Sequence, residues 1–133
     1  LKTAFQEHLE ETKGHVERLK QAFELLGEKA KPKPCKAMLG LVEEGSETIH
    51  EGKEKDESAA DLALIVAAQK VEHYEISGYG SLRTFAEQLG ETKVSKLLSQ
   101  TLAEEENADK LLSKLSPPLL KAASAETMAE VTD

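Results

Sequence analysis

The sequence predicts an all-α protein, a set of long helices joined by short connections and packed side by side as a bundle. Three observations carry this. The chain is rich in Ala, Leu, Glu and Lys, 39% hydrophobic and 32% charged, the mixture long amphipathic helices use. Apolar residues recur at three- and four-residue spacing through most of its length. The four prolines fall at positions 32, 34, 117 and 118, where that rhythm stops.

Each element follows from local signals. A first helix is predicted over Leu1–Leu26, with Phe5, Leu9, Val16, Leu19, Phe23 and Leu26 on one stripe and Gly27 as its C-terminal cap. The chain opens on Leu1 without Met, already in helical rhythm, and reads as a piece that starts inside a helix. Lys29–Pro34 is an extended basic linker, because proline bars the helix and restricts the residue before it. A shorter helix is expected over Lys36–Glu51, with Met38, Leu41, Val42, Gly45 and Ile49 inward. Asp56 or Ser58 caps a third helix over Glu57–Gly80, the most apolar of the chain; Gly78 and Gly80 weaken its end before a Leu82–Leu89 continuation. Leu89-Gly90-Glu91 repeats the stop signal Leu26-Gly27-Glu28. A last long helix is predicted over Thr92–Leu115, ended by Ser116-Pro117-Pro118, with residues 116–133 a weak helix or frayed tail.

Several function classes drop out early. A chain of 133 residues favours one domain. One cysteine, Cys35, excludes an internal disulfide framework and a Cys-rich metal site, and it suits a reducing, cytoplasmic setting. With 17 Lys+Arg against 25 Asp+Glu the formal charge is −8, which argues against nucleic acid as a partner. The longest apolar run, Leu62–Ala68, is far short of the ~20 residues that span a bilayer, so no membrane partner is expected. Cys35 has no paired base, and neither a hydrolase triad nor a Gly-rich phosphate loop appears.

Placing residues about 100° apart around each helix sorts the acidic side chains. Glu72 and Glu75 fall on the apolar face of the third helix, with Leu64, Ile65, Ala68, Ile76, Tyr79 and Leu82. Glu105 falls in the middle of the last helix's face, among Val94, Leu98, Thr101, Leu102, Ala108 and Leu112, with Asp109 near the edge. His8 lies within the first helix's stripe, Glu11 at its edge and His15 toward the margin. Arg18, Lys13, Lys20, Lys70 and Lys110 are assigned to outward arcs, and Glu104 and Glu106 to the solvated part of a charge run. Glu47-Thr48-Ile49-His50 has the spacing of a metal motif, but Glu47 lies opposite the expected buried face. A buried, unpaired carboxylate costs several kcal/mol or gives up its charge, so inward carboxylates on several helices need protons, cations or water. Helix-borne Glu, Asp and His at one-turn spacing build the dimetal sites of ferritin-like bundles, and oxygen-rich ligation with imidazole suits iron or manganese.

FQEHLEETKGHVERLKQAFELLGEK, PCKAMLGLVEEG, AAQKVEHYEISGYGSLRTFAEQLGETK and LLSQTLAEEENADKL closely resemble the YciE/YciF family of bacterial ferritin-like stress proteins, over about residues 1–115. The resemblance implies a ferritin-like four-helix bundle whose first helix lies upstream of Leu1, with Lys36–Glu51 inside a long crossover, and pairing as a homodimer. Carried onto this sequence, the family's carboxylates are Glu11, Glu72, Glu75, Glu105 and Asp109, with His8 as an addition. The order His8-x-x-Glu11 reverses the usual Glu-x-x-His, and the last helix offers Glu105-x-x-x-Asp109. Two functions remain open: an iron or manganese protein of stress and oxidant defence, or a metal-free dimeric partner-binding protein with a vestigial site.

Overall fold

The computed structural model describes the backbone of residues 1–132 and the side chains of residues 1–125. Among the described residues there are four helices: α1 (Lys2–Leu25), α2 (Lys36–Gly52), α3 (Glu57–Gln88) and α4 (Thr92–Thr132). Both Leu-Gly-Glu signals act as expected. Gly27 and Gly90 adopt φ of 69° and 75°, the left-handed conformation that a side chain disfavours. Glu28 N–H then donates to the Phe23 carbonyl and Glu91 N–H to that of Ala86, so each helix ends in the same doubled-back cap. At the start of α3, the Asp56 carboxylate accepts from the Ala59 N–H at 2.8 Å.

Side-chain pairings fix the topology. His8 and Arg18 of α1 meet Glu105 and Thr101 of α4, so these helices run antiparallel. Gln69 and Glu87 of α3 meet Asp109 and Ser95 of α4, also antiparallel. α1 and α3 therefore point the same way, and the chain between them must cross the length of the bundle; α2 lies in that crossover and packs on α3. α4 is the helix that touches both α3 and α1. α1 and α3 stand diagonally, with an open groove between them lined by Phe5, Leu9 and Leu64 at one end and by Phe23, Phe85 and Leu89 at the other.

Four expectations are corrected. α3 runs unbroken through Gly78 and Gly80, because interior glycines only weaken a helix that neighbours hold. α4 continues through Pro117 and Pro118 instead of ending there. Those prolines, and the Ser113 and Lys114 whose carbonyls lose their donors, lie on the exposed side, where water can serve the freed acceptors. The final stretch is helical through Thr132; Asp133 lies outside the described residues. On α2, Met38, Leu41 and Gly45 are partly covered as expected, but Thr48 joins them while Val42 and Ile49 stand 55% and 57% exposed. On α1 the line facing α4 is His8, His15 and Ala22, whereas Leu9, Val16 and Phe23 lie exposed. No helix among the described residues is long and apolar enough to cross a membrane.

Candidate metal centre

Three helices deliver polar side chains to one buried layer. Glu105 of α4 is fully buried, and Glu72 of α3 and His15 of α1 are nearly so. Helix periodicity places them there: Glu105 continues the line of Leu98, Thr101, Leu102 and Leu112, so the side chain that occupies that line is buried whatever its charge. Neither Glu105 oxygen has a hydrogen-bond partner among the described residues, nor has Glu72 Oε2 or His15 Nδ1. Buried polar atoms are nearly always satisfied, so four orphans in one layer are a chemical statement.

His8, Glu72 and Glu105 form the tightest group. His8 Nε2 lies 3.3 Å from Glu72 Oε1 and 3.5 Å from Glu105 Oε2. One ligand atom from each of the three falls within 4.8 Å of the others, a spacing that fits a single cation. Ligands about 2.1 Å from a metal stand about 3.0–3.4 Å apart, close to the 3.3 and 3.5 Å that separate His8 Nε2 from the two carboxylates. On the far side of the ring, His8 Nδ1 lies 3.2 Å from Glu11 Oε2, the outer contact that orients a ligating imidazole.

The electrostatics are those of a layer short of positive charge. The Glu72 carboxylate beside His8 raises the imidazole pKa to about 9, against the opposing effect of burial. Burial, then Glu72 and Glu75 as neighbours, pushes Glu105 far above the carboxylate range. Glu75 is raised by burial and by Glu72. Burial takes Tyr79 up to about 12 and lowers His15. Without a cation, this layer holds protons.

The six residues expected from sequence separate into shells. His8, Glu72 and Glu105 come together. Glu11, half exposed, reaches the group only through His8. Glu75 is partly buried and near enough to Glu72 and Glu105 to feel their charge. Asp109 is engaged elsewhere, accepting from Gln69 Nε2 at 2.8 Å, with His73 Nε2 at 3.4 Å. Glu47 and His50 are exposed, as expected of a decoy.

Three residues escaped the sequence reading. Arg18 does not point outward: its guanidinium grips Glu104 through bonds of 2.7 and 2.6 Å and also donates to Thr101 at 2.9 Å. Glu104 is in turn no solvated member of a charge run; Arg18 and His15 hold its carboxyl below the usual range. His15 is not marginal, being 2% exposed with its Nε2 2.8 Å from Glu104 Oε2. The spacing of seven residues from His8 to His15, which returns to the same face after two turns, was the available signal.

A bundle of long helices with one long crossover, enclosing carboxylates and imidazoles from several helices, defines the ferritin-like class. The chain belongs, within that class, to the family described as Domain of unknown function (DUF892), which it matches over residues 1–125. It is 53% identical over 117 residues to Protein YciF of Escherichia coli (strain K12), covering 87% of this chain and 69% of that one. The crystal structure of the E. coli stress protein YciF superimposes with a TM-score of 0.81 at 48% identity, over 90% of this chain and 74% of that chain. YcfI from Rhodopseudomonas palustris gives 0.77 at 40% identity, over 84% of this chain and 69% of that one.

Proposed function

We propose that this protein binds iron or manganese in its buried acidic layer and serves in stress or oxidant defence, as the description of YciF as a stress protein supports. The observation that carries the reading is Glu105, fully buried with both carboxylate oxygens unpartnered and an imidazole nitrogen 3.5 Å away. His8, Glu72 and Glu105 would hold the first ion, with Glu75 as a reserve carboxylate and Glu11 orienting His8. Oxygen ligands with a single imidazole suit iron or manganese better than zinc. The ion would supply ferrous oxidation or peroxide reduction, and the chain supplies geometry and a site shielded by Tyr79 and its apolar neighbours.

Two features of assembly belong to the same reading. An upstream helix of the same chain would lie in the apolar groove between α1 and α3, covering Leu9, Phe23 and Phe85, and bringing a further ligand; on this reading residues 1–115 are the bundle and 116–133 an appendage. A second copy would cover the outer stripe of α2, where Leu39, Val42 and Ile49 are all more than half exposed, giving a homodimer.

Elemental analysis of protein purified without chelator tests the function. Bound iron or manganese in the wild type, lost in Glu72→Gln with helicity unchanged, is the expected result. No metal after anaerobic ferrous loading overturns it in favour of a metal-free partner-binding protein.

A further inference from the structure

The seam between α1 and α4 is open at one end of the acidic layer and shut at the other. At the His15 end, Arg18 of α1 reaches across to Glu104 and Thr101 of α4, closing the seam and setting a positive charge on it. At the His8 end the two helices part around a cavity of about 100 Å³. His8 and the buried Glu72 form its floor, Ala4 and Ala108 leave it its width, and the exposed Glu7, Glu11 and Asn107 stand at its mouth. Water reaches the triad from this side, since the His8 side chain is 20% exposed while those of Glu72 and Glu105 are almost fully covered. No lysine or arginine lines the cavity among the described residues, and Glu72 keeps one oxygen there without a hydrogen-bond partner. We propose that cations enter the buried layer through this α1–α4 cleft, drawn by Glu7 and Glu11 and received by His8 and Glu72.

This inference rests on the metal reading above and adds a route to it. A mouth of like-charged carboxylates over low-dielectric walls focuses the field and raises the local concentration of cations. A bare ion does not cross apolar walls, but a water molecule takes up about 30 Å³ in the liquid, so the cleft has room for a partly hydrated one. There the imidazole and carboxylate replace the water the ion sheds. Among the described residues the apolar groove between α1 and α3 shares Phe5 with the cleft and none of its mouth, so a helix lying in that groove leaves the cleft open. Glu7 steers and does not ligate: it lies at the surface, outside the triad.

Co²⁺, which does not turn over under air as iron does, is the probe. Metal-free protein is mixed with it in a stopped-flow cell and followed by visible absorption, and bound metal is counted after desalting. Glu7→Lys reverses a charge at the mouth and should slow uptake about three- to tenfold at low ionic strength, with the difference largely lost at high salt and the amount bound unchanged. Ala108→Phe puts a ring into the cleft, so passage waits for the helices to part. Uptake and chelator-driven release should then both slow by about tenfold or more, again with the amount bound unchanged. Glu7→Lys decides the matter if Ala108→Phe fails to fold. Wild-type uptake rates in Glu7→Lys at low salt, or in a folded Ala108→Phe, overturn the route while the metal reading stands. No Co²⁺ bound by the wild type overturns both.

Discussion

Two layers of this bundle, about two helical turns apart on α1, obey opposite rules. Around Ala22, Ala86, Val94 and Leu98 the helices meet through small and branched apolar side chains, with Leu19, Leu97 and Tyr79 packed against them. Around His8, His15, Glu72 and Glu105 they meet through ionisable groups. The first layer gains free energy from burial, roughly 25 cal/mol for each Å² of apolar surface removed from water. The second loses it, since each unpartnered polar atom forfeits its bonds to water. One layer holds the helices together, and the other costs free energy unless protons or a cation satisfy it.

Substitutions can break this contrast from either side. Leu98→Ala empties space in the apolar layer and should cost about 2–5 kcal/mol, read as a lower urea midpoint with unchanged slope. A loss below half a kcal/mol would mean that the apolar layer is not the clasp. Glu105→Leu acts in the opposite direction. It should stabilise the metal-free protein by about 1–4 kcal/mol and erase any rise in melting temperature on adding Mn²⁺. Destabilisation of the metal-free protein by this change would show that the carboxyl group contributes to the fold itself.

The pH dependence sharpens the comparison because the apolar layer has none. In the metal-free protein His8 keeps its proton to about pH 9, whereas the unfolded chain releases it near 6.5, and Glu105 is raised in the same sense. The native state thus binds more protons than the unfolded state, and stability should fall as pH rises from 6.5 to about 9. His15, lowered by burial, acts with the opposite sign, but only below 6.5. Metal binding needs the same groups deprotonated, so the loaded protein should bind its ion more tightly over that interval. Melting curves at both ends of the range, with and without Mn²⁺, check the signs; a metal-free melting temperature that climbs with pH contradicts them. The smallest effect is expected far from both layers. Gly90→Ala forces a side chain into a φ of 75° at the α3–α4 turn and should cost about 1 kcal/mol with metal binding unchanged.

Much of the bundle is legible in the sequence because helix periodicity fixes which Cα faces which neighbour. Glu72 and Glu105 share a period with aliphatic residues, so their burial follows from spacing alone. The Leu-Gly-Glu stops are equally local, since a left-handed glycine ends a helix regardless of its surroundings. Arg18 and Glu104 illustrate what spacing cannot convey. A helical wheel places Cα atoms, but a guanidinium on three methylenes, or a carboxylate on two, can return from the margin to meet a partner on another helix. Val42 and Ile49 of α2 depart from the expected face for a related reason: they form a second apolar stripe beside Met38 and Leu41, and contact with α3 decides between the two. The prolines of α4 mislead because their penalty falls on an exposed edge.

The order of contacts along the chain has a kinetic consequence. α3 and α4 are joined by the three residues Leu89–Glu91, so their hairpin closes locally. The side-chain pairs that join α1 to α4 span 83 to 97 residues, from Arg18–Thr101 through His15–Glu104 to His8–Glu105. Loop closure over that span is entropically slower to achieve than a hairpin turn, so α1 docks last. Both histidines of the acidic layer, His8 and His15, ride on α1, and Glu72 and Glu105 ride on the hairpin. A refolding chain therefore assembles the carboxylates of that layer first and receives its imidazoles last, so the acidic layer is complete only when the final helix has arrived.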